Sequence, residues 1–135
     1  MTRLLPECRK AVYTDLVLYG YVMRQSSIIH SAFSPKSMDI FPIMDERIRV
    51  LQQLGCDDLV TESQCRMFQT AAWHYCGARR GRFTKEAVQL KEILLSLSKE
   101  PLPLSGQYKL LWQLSRITGS APELYYQIRR ICGKS

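Results

Sequence analysis

Asparagine is absent from all 135 residues. That excludes N-linked glycosylation and leaves helix caps and turns to Ser, Thr, Asp and Gly. Long apolar runs are also missing. The longest, Ala11 to Met23, is interrupted by Asp15 and falls short of the ~20 residues that a spanning helix needs. The opening MTRLLPECRK lacks the apolar stretch of a secretion signal, so the expected setting is intracellular, cytoplasmic or nuclear. No HExxH, GxSxG, GxGxxG or Walker lysine occurs, so the patterns that place a metal-bound base, a nucleophile or a phosphate cradle are missing. Cysteine is present, but as five residues scattered from Cys8 to Cys132. An odd, dispersed set without a secretion signal reads as reduced thiols.

What is present is enough for a core. Hydrophobic residues make up 46% of the chain, and this length suits a single domain. The apolar positions recur at helical spacing through most of the sequence. Val12, Leu16, Tyr19 and Met23 follow Pro6 in steps of three and four and predict a first helix, while the β-branched and aromatic content and Gly20 of this segment also suit a strand. Residues 26–41 contain Pro35 and short apolar pieces and read as a connector packed by Ile28, Ile29 and Phe33. A second helix from Pro42 to Leu54 places Met44, Ile48 and Leu51 on one face, with Gly55 as its stop. Thr61-Glu62-Ser63-Gln64 has the form of a capping box for a third helix ending at Gly77. A fourth follows Thr84 with Ala87, Leu90, Leu94 and Leu97 in register. A fifth covers Gln107 to Ile117 with Leu110, Leu114 and Ile117 inward. Ser120-Ala121-Pro122-Glu123 then launches a sixth through Leu124, Ile128 and Ile131. Alternating strand patterns are scarce, so the expected fold is a compact all-α bundle of five to six helices spanning 1–135.

Charge is unevenly spread. The net charge is +7. Residues 77–135 hold eleven basic residues against four acidic ones, while the two stretches before them nearly balance. The densest segment is the expected basic loop 77–83, with Arg79, Arg80 and Arg82. Arg129, Arg130 and Lys134 form a second cluster. Guanidinium groups suit phosphate, and Trp73, Tyr75 and Phe83 lie near enough in sequence to offer stacking faces. The leading expectation is therefore non-enzymatic nucleic-acid binding, RNA favoured over DNA, through these residues. The short basic run also suits nuclear import.

Metal and catalytic chemistry fare worse. Cys56, Cys65, His74 and Cys76 are the right residue types for zinc. On one helix, however, Cys65 and Cys76 lie about 16 Å apart along the axis, and His74 points about 180° away from Cys65. One tetrahedral ion cannot collect them, so no metal or cofactor is expected. No acid, base and nucleophile set assembles from the remaining residues, and no enzyme activity is expected.

The rival expectation is a helical adaptor. Large apolar residues exceed what one inner face per helix requires, the surplus being Tyr13, Val17, Tyr21, Leu95, Leu111, Trp112 and Tyr125. Of these, Tyr13, Trp112 and Tyr125 are the expected anchors for a protein partner or for a second copy in a homodimer. Such a composition suits a small regulatory or viral accessory protein.

Overall fold

The computed structural model describes residues 33–132. The chain divides into Met1–Ala32 and Phe33–Ser135, and every described residue belongs to the second unit. The expected helix after Pro6, with Tyr13, lies outside the described residues, as does Lys134.

The described residues are all-α. A 3-10 turn, Pro35–Asp39, leads into five helices: α1 Ile40–Gln53, α2 Asp57–Arg80, α3 Thr84–Leu97, α4 Gly106–Ile117 and α5 Ala121–Ile131. The expected connector is thus already helical from Pro35, because proline suits a first helical position. None of these helices is long and apolar enough to cross a membrane.

Helix α2 is the axis of the fold. Its 24 residues span about 36 Å, and it packs against α1, α3 and α5. Phe68, Ala71, Ala72 and Ala78 on α2 are wholly buried, and the alanines let α3 approach closely with Ala87, Leu90 and Leu94. On α1, Phe41, Ile48 and Leu51 are buried and Met44 packs beside them, the stripe expected from the spacing.

Two helix ends explain most of the turn geometry. After α1, Gly55 takes φ +68. Its N–H donates to the Gln52 carbonyl at 3.1 Å, and that of Cys56 to the Leu51 carbonyl at 3.0 Å. This pair of bonds is a Schellman motif, and glycine supplies its left-handed residue at no steric cost. The same motif closes α2, where Arg82 N–H donates to Arg79 at 3.3 Å and Phe83 N–H to Ala78 at 2.9 Å. Here the left-handed residue is Arg82, at φ 60.

The boundaries of α2 correct two expectations. Its first turn is Asp57-Asp58, and the Cys56 carbonyl accepts from Val60 N–H at 3.0 Å, so Thr61 sits inside the helix rather than capping it. The two carboxylates favour that end through the helix dipole. Nor does Gly77 stop the helix. A Cβ there would lie 2.8 Å from Phe33 Cβ, so Gly77 is a notch that admits the Phe33 ring. The expected basic loop 77–83 is therefore mostly helix. Gly77 to Arg80 form the last turn of α2, and only 81–83 connect it to α3.

The last two helices are turned relative to expectation. On α4 the buried residues are Leu111 and Ser115, with Tyr108 and Trp112 packed beside the core. On α5 they are Ala121, Pro122 and Tyr125. Leu110, Leu114 and Ile117, expected inward, are exposed, and so are Leu124, Ile128 and Ile131. A shift of one residue rotates a helical face by about 100°. Leu111 on α4 and Tyr125 on α5 carry the burial, with Tyr108, Trp112 and Tyr126 packed partly buried beside the core. Trp112 Nε1 also donates to the Glu100 carbonyl at 3.1 Å, which ties α4 to the connector after α3.

Candidate functional site

The expected arginines occupy helix ends. Arg79 and Arg80 are the last residues of α2, where cations are favoured by the dipole. Arg79 Nη2 donates to Glu123 Oε1 at 2.8 Å, and its guanidinium lies 5.6 Å from the Tyr126 ring centroid. Tyr75 O–H donates to the other Glu123 oxygen at 2.8 Å. Burial tends to raise the Glu123 pKa, but the Tyr75 hydrogen bond and the Arg79 charge outweigh it, leaving the carboxyl below its usual range. Burial, followed by the Glu123 contact, pushes the Tyr75 phenol well above its own. Arg79 is thus a clamp between α2 and α5.

Arg129 sits over the Tyr125 ring at 5.9 Å and donates to its hydroxyl at 3.4 Å. Arg80 Nε donates to the Cys76 carbonyl one turn back at 3.4 Å, and the charges of Arg129 and Arg80 act to lower the Cys76 thiol pKa. Burial nevertheless dominates at Cys76 and raises its pKa. Arg82 and Arg130 are exposed.

The expected stacking residues do not form a platform. Tyr75 is buried with its hydroxyl engaged. Phe83 packs on Phe33 with ring centroids 5.5 Å apart. Only Trp73 is exposed, and it lies edge-on to His74 at 4.9 Å. Burial holds the His74 pKa below its usual value, and its Nδ1 has no hydrogen-bond partner among the described residues. Cys76 is buried, Cys56 and Cys65 are half-buried and Cys132 is exposed. No group of three possible metal ligands occurs among the described residues.

Two of the expected partner anchors, Trp112 and Tyr125, pack on the core and also line a groove between α4 and α5. Tyr125 is buried and Trp112 is half-buried against the core. Their burial turns the aliphatic faces of α4 and α5 outward. Ile117 is 83% exposed and Ile131 84%, whereas Leu111 is only 1% exposed. Leu110, Leu114 and Ile117 of α4 join Ile128 of α5 around a groove of about 990 Å³. Arg116 and Arg129 also line it, with no Asp or Glu among the lining residues. Arg116 is held 5.0 Å from the Trp112 ring centroid.

These aliphatic residues were legible as helical stripes, but sequence reasoning placed them in the core. The missed signal is the pair of runs Leu110-Leu111-Trp112 and Leu124-Tyr125-Tyr126, each of which gives its helix two apolar faces. Comparison with protein-family models, with curated proteins and with solved structures finds no match for this chain.

Proposed function

We propose that this chain is a helical protein-interaction module that receives its partner on the outward face of α4 and α5. The observation that carries this reading is the set of four exposed residues, Leu110, Leu114, Ile117 and Ile128, that line one groove across two consecutive helices. Contiguous apolar surface of this kind marks interaction sites, whereas scattered exposed leucines do not. Fully covering one Leu or Ile contributes about 1.5–3 kcal/mol. These four are 36–83% exposed, so covering them supplies a gross drive of about 3–7 kcal/mol before the cost of association.

Nucleic-acid binding is the weaker reading. The exposure of Arg80, Arg82 and Arg130 favours it. Against it, Arg79 is committed to Glu123, and Tyr75 and Phe83 are committed to packing. Arg79 and Arg80 also stand at the C-terminal end of α2, and Arg129 and Arg130 at that of α5, where the helix dipole opposes a phosphate.

Affinity purification from cells tests the choice, using the wild type, a Leu114→Glu/Ile128→Glu variant and an Arg80→Ala/Arg82→Ala/Arg130→Ala variant, each with and without nuclease. The groove reading expects protein partners that resist nuclease, vanish with the glutamates and persist without the arginines. Recovery of RNA or DNA that disappears only with the arginine variant would overturn it.

A further inference from the structure

We infer that the α4–α5 groove takes an amphipathic helix with acidic flanks, an inference that rests on the groove reading above. The shape of the walls selects a helix. Leu110, Leu114 and Ile117 step by four and three, the spacing that meshes with an i, i+3, i+4, i+7 stripe on a partner. The described residues contain no strand, so they offer no sheet edge to an extended peptide. Helix α4 has 12 residues and is about 18 Å long, which matches roughly three turns of a docked helix.

Charge selects the flanks. The polar lining consists of Gln107, Gln113, Arg116, Arg129 and Cys132, without a carboxylate. Lys109 of α4 and Arg130 of α5 are exposed outside the lining, while the one acid of the two helices, Glu123, is engaged by Arg79 and Tyr75. Arg116 is steadied by Trp112, and Arg129 by Tyr125, so both guanidinium groups are positioned before a partner arrives. A carboxylate flanking an apolar stripe would meet Arg116 in charge-assisted hydrogen bonds. A second copy fits less well, because in an isologous contact the same groove lining would offer Arg116 no carboxylate.

A displayed library of helical peptides, with leucine held at i, i+3, i+4 and i+7 and the flanks randomised, tests this on the full chain. The selected flanks are expected to be net negative, and the selected peptides to be lost with Leu114→Glu/Ile128→Glu. A Glu-flanked peptide should bind at least about tenfold tighter than its Lys-flanked counterpart at low salt, and the gap should shrink at high salt. Arg116→Glu should narrow the gap without removing binding. Neutral or basic winners that the double variant still abolishes would overturn the acidic partner and leave the groove reading standing. Peptides indifferent to the double variant would overturn both. Self-association of the wild type that the double variant dissolves would make the occupant a second copy and overturn this inference.

Discussion

Arg79 and Glu123 meet at 2.8 Å across 44 residues of sequence, joining the C-terminal turn of α2 to the first turn of α5. Each charge stands at the helix end that its sign favours. Tyr75 completes the contact from the buried side, so its hydroxyl and the Arg79 charge share one carboxylate but differ in solvent access. Removing the Tyr75 hydroxyl, as Tyr75→Phe, is expected to cost about 1 kcal/mol. Arg79→Ala should cost less, about 0.2–1 kcal/mol, because the ion pair is solvent-screened. Denaturant titrations of the two variants check the order. A larger loss from Arg79→Ala would contradict it.

Arg82 occupies the left-handed position that closes α2, a conformation that costs a non-glycine residue about 1–2 kcal/mol. Arg82→Gly is therefore expected to raise stability by about 1 kcal/mol, read as a higher melting temperature. Gly55→Ala, at the equivalent position after α1, should lower it by a similar amount.

His74 is held neutral by burial against Phe33, Phe41 and Trp73. Its folded pKa lies below its unfolded value of about 6.5. The unfolded chain therefore takes up the proton first, and stability falls as pH drops through and below that value. Glu123, whose pKa is lowered from a carboxylate value, loses its contribution in a separate and more acidic window. Melting temperatures measured from neutral to mildly acidic pH should decline in the wild type and flatten in His74→Phe. Parallel curves would refute the assignment.

Two alanine substitutions distinguish the faces of α4. Leu111→Ala removes a wholly buried side chain and is expected to cost about 2–5 kcal/mol. Ile117→Ala, on the outward face, should stay within about 0.5 kcal/mol. The reverse order would restore the orientation expected from periodicity alone.

That orientation marks the limit of what could be read before the structure. Helix α3 was legible because Ala87, Leu90 and Leu94 form its one strong stripe, and the end of α1 because Gly55 satisfies a local steric rule. Helices α4 and α5 each carry two apolar stripes one residue apart. Their orientation depends on tertiary contacts, such as that between Trp112 and Glu100, which no local pattern encodes. Gly77 misled for a related reason. Its role is to admit Phe33 from far away in sequence, while the left-handed stop fell to an arginine. The charge asymmetry was visible from the start, but the pairing of Arg79 with Glu123 required the fold.

Site-specific photo-crosslinking tests the central claim most directly. A photoreactive residue placed at position 114, in the groove, and in a second sample at position 82, beyond the end of α2, reports what each surface touches in cells. The account predicts protein adducts from position 114 and none above background from position 82. Nucleic-acid adducts at position 82, with none of any kind at position 114, would contradict it.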